Sequence, residues 1–204
     1  MKVLMINCSP HKAGSTDRAL KEIADELNKS AIDSEIYQLP LVPIQSCTAC
    51  GYCKEADNRC NIDDCVNELL TKAATSDALV VGSPVHFAGI TGSGKTVLDR
   101  MFYCGRPLFY GKPFVGIVIA RRAGTTSALE QLNKYPIIAD MYQIGGSYWP
   151  MVFGNGASEI EKDLEGMANL KTIARNLAWF LKVKAEGKEP LPQIETPPKT
   201  NFIR

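Results

Sequence analysis

Five of the seven cysteines fall between positions 47 and 65, as Cys47, Cys50, Cys53, Cys60 and Cys65. The first four read C-x2-C-x2-C-x6-C. Three thiolates at that spacing, with a fourth a short loop away, reach the corners of a cubane cluster. Thiolate sulfur suits both iron–sulfur clusters and zinc. Structural zinc usually uses two separated knuckles, which this compact run does not resemble. Cys65 competes with Cys60 for the fourth place. Cys8 and Cys104 stand alone and read as small buried apolar residues.

A second chemical stretch is Asn7-Cys8-Ser9-Pro10-His11-Lys12-Ala13-Gly14-Ser15-Thr16. It carries hydroxyls at Ser9, Ser15 and Thr16 and leads from an apolar run into a helical pattern. A helix N-terminus with hydroxyls around it suits a phosphate. A capped turn explains the same residues equally well, with Ser15 or Thr16 as N-cap. A third stretch, Gly89-Ile90-Thr91-Gly92-Ser93-Gly94-Lys95-Thr96, matches the phosphate-cradling pattern G-x-x-x-x-G-K-[ST] letter for letter. That pattern needs a strand directly before its first glycine. The clear apolar run ends earlier, at Val81, and Asp140 is the only loose candidate for an acidic magnesium ligand. Nucleotide binding at 89–96 is therefore the weakest of the functional readings.

These stretches are positioned by alternating apolar runs and helical stripes. Val3–Ile6, Ile32–Leu39, Ala78–Val81 and Phe114–Ala120 read as strands, and a fifth is expected between Met141 and Phe153, blurred by Gly145, Gly146 and Pro150. Helical spacing appears in Ala19–Leu27, in Val66–Ala74 behind a cap at Asp63 or Asp64, in Val97–Tyr103, in Ser127–Tyr135 and in Leu164–Leu181, with Gly187 as the stop. Strands apolar throughout, alternating with helices, predict a doubly wound five-stranded parallel α/β sheet. The cysteine-rich segment is inserted after strand two. Ligands in such a sheet sit beyond the carboxyl ends of the strands. Residues 7–16, 82–95 and 120–126 are thus where a site is expected. One domain over 1–187 and an extended, proline-rich tail over 188–204 complete the expected layout.

Composition narrows the function. The chain has 204 residues, 45% hydrophobic and 22% charged, with a net charge of +1. That balance carries no electrostatic footprint for nucleic acid or an anionic membrane. The longest apolar stretch, Phe114–Ala120, is too short to span a bilayer, which takes about 20 helical residues. The opening Met-Lys-Val-Leu-Met-Ile-Asn is too short for a signal peptide, so a cytoplasmic setting with reduced thiols is expected. No Ser-His-Asp or paired-carboxylate arrangement is evident.

The turn S-P-x-K-x-G-S-T after a first strand resembles the phosphate loop of the NADPH-dependent FMN reductase and iron–sulfur flavoprotein families, which have the flavodoxin-like fold. Gly82-Ser83-Pro84-Val85-His86-Phe87, Leu98-Asp99-Arg100 and Gly111-Lys112-Pro113 extend the likeness over roughly residues 1–155. The resemblance implies that Ser9, His11, Ser15 and Thr16 hold the phosphate of FMN. It implies that Pro84, Val85, His86 and Phe87 lie along the flavin ring, with Arg121, Gly124 and Thr125 nearby. His86 stands where the family often has Tyr, and no catalytic role is assigned to it. The resemblance further implies a 4Fe-4S cluster on Cys47, Cys50, Cys53 and Cys60. The implied activity is an oxidoreductase moving electrons between NAD(P)H, or a ferredoxin-like redox protein, and a quinone, flavin or other small acceptor. An electron carrier without a small substrate is the alternative. Relatives form homodimers, sometimes paired into tetramers, and the tail is compatible with that.

Overall fold

The computed structural model describes residues 1–194. The chain runs β1 (Lys2–Asn7), α1 (Ser15–Asn28), β2 (Asp33–Gln38), α2 (Cys65–Ala74), β3 (Ala78–Pro84), α3 (Gly92–Cys104), α4 (Arg106–Phe109), β4 (Pro113–Ala120), α5 (Thr125–Ile138), β5 (Tyr142–Gln143), β6 (Met151–Phe153), α6 (Ala157–Ile160) and α7 (Leu164–Glu186). Between β2 and α2 the backbone forms only one short 3₁₀ turn, Tyr52–Lys54.

The strands pair in the order β2-β1-β3-β4-β5, with β6 also on β4, and every pairing is parallel. The period-2 alternation of a strand sends its side chains to both faces, and both are covered. Leu4, Ile6, Leu79 and Val81 pack into one core with α2, α3 and α5. Val3, Met5, Val80 and Ile117 pack into the other with α1 and α7. β4 is therefore apolar throughout, with eight consecutive buried residues, and β1 has five buried residues, Val3–Ile6 apolar and Asn7 polar.

Three expectations shift. The fifth strand forms as two short pieces: β5 pairs at Pro113–Phe114 and β6 at Val118–Ala120. The loop between them contains Gly145, Gly146 and Pro150, and proline cannot donate to a ladder. The N-cap of α1 is Gly14, not Ser15 or Thr16. α5 continues past Pro136 to Ile138, because Tyr135 and Pro136 are both buried and hold the last turn. Asp64 is the cap of α2, its carboxylate accepting from Val66 N–H at 3.0 Å. α7 stops at Gly187 as expected. Of the expected tail, 188–194 forms neither helix nor strand, and 195–204 lie outside the described residues.

Candidate functional site

The carboxyl ends of β1, β3 and β4 converge because these strands are neighbours in register, Asn7 beside Gly82 and Pro84 beside Ile119. Their loops are stitched together. Cys8 N–H donates to Gly82 O at 2.9 Å, and Val85 N–H to Ile119 O at 2.8 Å. Thr91 is the main fastener. Its hydroxyl donates to Cys8 O at 2.9 Å and accepts from Gly94 N–H at 3.1 Å, while its N–H donates to Ser83 Oγ at 3.1 Å.

In the first loop, Ser9 is buried and its Oγ accepts from His11 N–H at 3.1 Å. Asn7 is fully buried beneath it. Its Oδ1 accepts from Ser9 N–H at 3.0 Å, and its Nδ2 has no partner among the described residues. Gly14 offers no side chain to cap α1. The first-turn N–H groups of a 14-residue helix thus point toward the loop without a capping side chain. Ser15 Oγ accepts from Gly156 N–H at 2.9 Å, which leaves its own O–H free to donate. Thr16 is buried, its methyl 3.0 Å from where a Cβ on Gly82 would lie, so position 82 takes no side chain without moving it.

The second loop makes a tight hairpin. His86 N–H and Gly89 N–H exchange hydrogen bonds with each other's carbonyls at 2.8 and 3.0 Å. The two residues between, Phe87 and Ala88, have φ of +51° and +61°. Such turns normally use Asn-Gly, and each non-glycine residue there costs roughly 1–2 kcal/mol. The Phe87 ring is fully exposed. Gly124, at φ +90°, is the floor under this turn: a Cβ there would stand 2.9 Å from Ala88 Cα and 3.0 Å from Val85 Cγ1. The structure thus brings Pro84–Phe87 against the loop 121–124, and the loop holding Ser9, His11, Ser15 and Thr16 to the same sheet end. Arg121 is exposed and Thr125 buried.

The stretch 89–96 is not a nucleotide cradle. β3 ends at Pro84, well before Gly89. Five N–H groups of the stretch are already committed: Gly89 to His86 O, Ile90 to Gln131 Oε1, Thr91 to Ser83 Oγ, Gly94 to Thr91 Oγ1 and Lys95 to Thr91 O. Lys95 Nζ lies 2.5 Å from both carboxylate oxygens of Asp99 and 5.8 Å from the Tyr135 ring centroid. Asp140 pairs with Arg106.

The cysteines form a second centre. Cys47, Cys50, Cys53 and Cys60 line one cavity together with Arg100 and Cys104. Cys47 and Cys50 are exposed, Cys53 and Cys60 half-buried. Among the described residues no group of three or more His, Cys, Asp or Glu side chains is placed closely enough to hold a metal ion as it stands. Cys60 is fixed by Asn67, whose Oδ1 accepts from Cys60 N–H at 2.8 Å and whose Nδ2 donates to Cys60 O at 3.0 Å. Cys65 starts α2 and does not line the cavity, and burial with the Asp64 carboxylate pushes its thiol up to about 11. Cys104 is buried as expected, but it is not isolated: it faces this cavity, and burial with the Cys53 sulfur beside it pushes its thiol upward. Cys8 matches its expected packing role, its thiol pushed up to about 12 by burial.

Asn7, Thr91, Arg100 and Cys104 are the residues that sequence reasoning missed. Arg100 had a signal, since it lies three residues after Val97 on the face of α3 that is buried. Thr91 had one too, as the hydroxyl residue directly before a helix start. Asn7 lay inside the 7–16 stretch where a site was expected, without a role of its own, and Cys104 had no signal.

Residues 1–156 match the family described as NADPH-dependent FMN reductase. The chain is 26% identical over 195 residues to an iron-sulfur flavoprotein of Methanocaldococcus jannaschii, covering 90% of this chain and 98% of that protein. Among solved structures it resembles a flavone reductase (TM-score 0.71, 19% identity), covering 93% of this chain and 66% of that one, a little under two thirds. It also resembles a flavodoxin from the domain Archaea (TM-score 0.62, 12% identity), covering 89% and 99%. The fold is flavodoxin-like.

Proposed function

The chain belongs to the NADPH-dependent FMN reductase family of FMN-dependent oxidoreductases, and we propose that it takes electrons from NAD(P)H or a redox protein and delivers them to a small acceptor such as a quinone or a flavin. The observation that carries this reading is the convergence of three loops at the carboxyl end of β1, β3 and β4, with an uncapped helix N-terminus and an orphaned buried amide, Asn7 Nδ2, at one side.

Bound FMN supplies the electron chemistry, accepting a hydride or single electrons. The protein's part is to bind and orient it. The N-terminal N–H groups of α1 and the hydroxyls of Ser9, Ser15 and Thr16 hold the phosphate, with His11 at the rim. Gly124 keeps the 121–125 loop close to the Pro84–Phe87 turn, and the two would form walls for the flavin ring. Arg121 adds an exposed cation to the same loop.

Cys47, Cys50, Cys53 and Cys60 would hold a 4Fe-4S cluster as a one-electron relay. Two features support the fit: the four cysteines line one cavity, and a buried guanidinium sits there to offset thiolate charge. α3 joins the two centres. Its cap Thr91 touches the phosphate loop, and Arg100 lies about 13 Å further along the axis at 1.5 Å per residue.

The test is an absorption spectrum of freshly purified protein under argon, with iron and sulfide analysis. Flavin bands plus a broad cluster absorbance are expected, and rapid anaerobic bleaching by NAD(P)H. Folded protein that is colourless and refuses added FMN would end this reading. Bleaching only by a protein donor would make the chain an electron carrier.

A further inference from the structure

The cysteine cavity contains a buried cation that lies outside the cysteine motif. The side chain of Arg100 is 0% exposed. Its Nη1 donates to Asp64 Oδ2 at 2.5 Å and to Gln45 O at 3.2 Å. Its Nη2 donates to Asp64 Oδ1 at 2.9 Å, to Ile62 O at 3.1 Å and to Cys60 Sγ at 3.2 Å. Its Nε–H, fully buried, has no partner among the described residues.

Burying a guanidinium is costly even when it is paired, and an unpaired N–H adds to that cost. Anchoring the 45–64 segment to α3 requires only the bidentate Asp64 pair and the two carbonyls. The bond to Cys60 sulfur is not needed for that purpose, and a neutral thiol is a weak acceptor. A thiolate is a strong one, because a charge-assisted bond is about twice as strong as a neutral one. A buried cation with one N–H aimed at the sulfur of Cys60 at 3.2 Å is the geometry that a cluster-bound thiolate would use.

We propose that Arg100, clamped by Asp64, is a tuning and positioning residue for an iron–sulfur cluster held by Cys47, Cys50, Cys53 and Cys60. The proposal rests on the cluster reading above and goes beyond it. It selects Cys60 over Cys65 as the fourth ligand and sets how readily the centre accepts an electron. One-electron reduction adds one negative charge to the thiolate-bound centre and no proton. A hydrogen bond to a ligand sulfur and a fixed positive charge stabilise that added charge, so Arg100 raises the reduction potential. The Asp64 carboxylate moderates the effect by partly cancelling the guanidinium field.

Two opposite shifts follow, which a merely structural anchor would not produce. Asp64→Asn retains an oxygen to accept from Arg100 and a cap for α2, since Asn caps helices as well as Asp does. It removes the negative charge and is expected to raise the potential of the centre. Arg100→Gln removes the cation and is expected to lower it by at least tenfold in the reduction equilibrium, about 59 mV for one electron. Arg100→Lys keeps the charge without the fork and should recover part of that loss.

The experiment is anaerobic reconstitution of full-length parent and variants with iron and sulfide. Metal content is measured first, and then the centre is titrated with dithionite while its electron paramagnetic resonance signal is followed. Should Arg100→Gln fail to fold or load, Asp64→Asn and Arg100→Lys carry the test. Loaded variants with the parent's potential, or a fall with Asp64→Asn, would overturn the role of Arg100 and leave the cluster reading standing. A parent that takes up no iron or sulfide while binding FMN would remove the cluster reading, and this proposal with it.

Discussion

At the scale of single residues, binding is expected to depend on a few hydroxyls and on one strained turn. Thr16→Val keeps the methyl against Gly82 and deletes only the hydroxyl. Combined with Ser15→Ala, it should weaken FMN binding at least about tenfold, because each bond to a charged group contributes roughly 1.5–3 kcal/mol. Flavin fluorescence quenching measures this, and unchanged affinity would show that the phosphate lies elsewhere. Phe87 makes the opposite point. Its ring is fully exposed, so Phe87→Gly loses no burial, and its φ of +51° is one that glycine adopts freely. The variant is expected to be more stable without ligand by about 1 kcal/mol and to hold flavin less well. Urea unfolding of apoprotein and an FMN titration read the two effects separately. The hydroxyls of Ser9 and Ser15 stood out in the sequence, but a capped turn explained them equally well, and the phosphate role came from the family resemblance. The strain at Phe87 was not legible there, because φ is set by the closure of the hairpin on Gly124.

Between elements, α1 and α7 are joined through a shielded carboxylate. Glu26 is 7% exposed at its side chain, 2.6 Å from Lys29 Nζ and 2.7 Å from Arg175 Nε. Lys29 first, and then Arg175, hold its carboxyl below the ordinary range. The sign follows from linkage. A lowered folded pKa stabilises the protein above the unfolded value of about 4.3, and this contribution disappears as pH falls through the folded value. Glu26→Gln should therefore be less stable than the parent at pH 7, with the gap closing in acid. Urea midpoints between pH 7 and pH 3 test it, and a gap constant with pH would remove the linkage. Helical stripes predicted α1 and α7 well, because burial on one face repeats every 3.6 residues within each sequence. Their ion pair, 149 residues apart, has no local signature.

For the whole molecule, the arrangement separates two centres. The expected flavin loops lie at the end of β1, β3 and β4, whereas the cysteine cavity lies against α3 beside a segment that carries one short turn. Stripping iron from loaded protein with a chelator should thus remove the broad cluster absorbance and leave flavin content and far-ultraviolet circular dichroism unchanged. Loss of flavin together with iron would show that the centres depend on each other. Among the described residues no helix is long and apolar enough to cross a membrane.

What the amino-acid sequence determined by itself was the parallel α/β class, the order of elements and the three loops at the sheet end. Each of these follows from local periodicity and from residues that stop strands or start helices. Only the tertiary structure decided the rest. The letters of a nucleotide loop at 89–96 were complete, yet five of its N–H groups are taken up by His86, Gln131, Ser83 and Thr91, and the strand before it ends at Pro84. Cys104, isolated in the chain, reaches the cavity of the cysteine motif, and Arg100 crosses to Cys60 and Asp64. A motif records which donors exist, whereas hydrogen-bond satisfaction depends on partners that are close in space and distant in the chain.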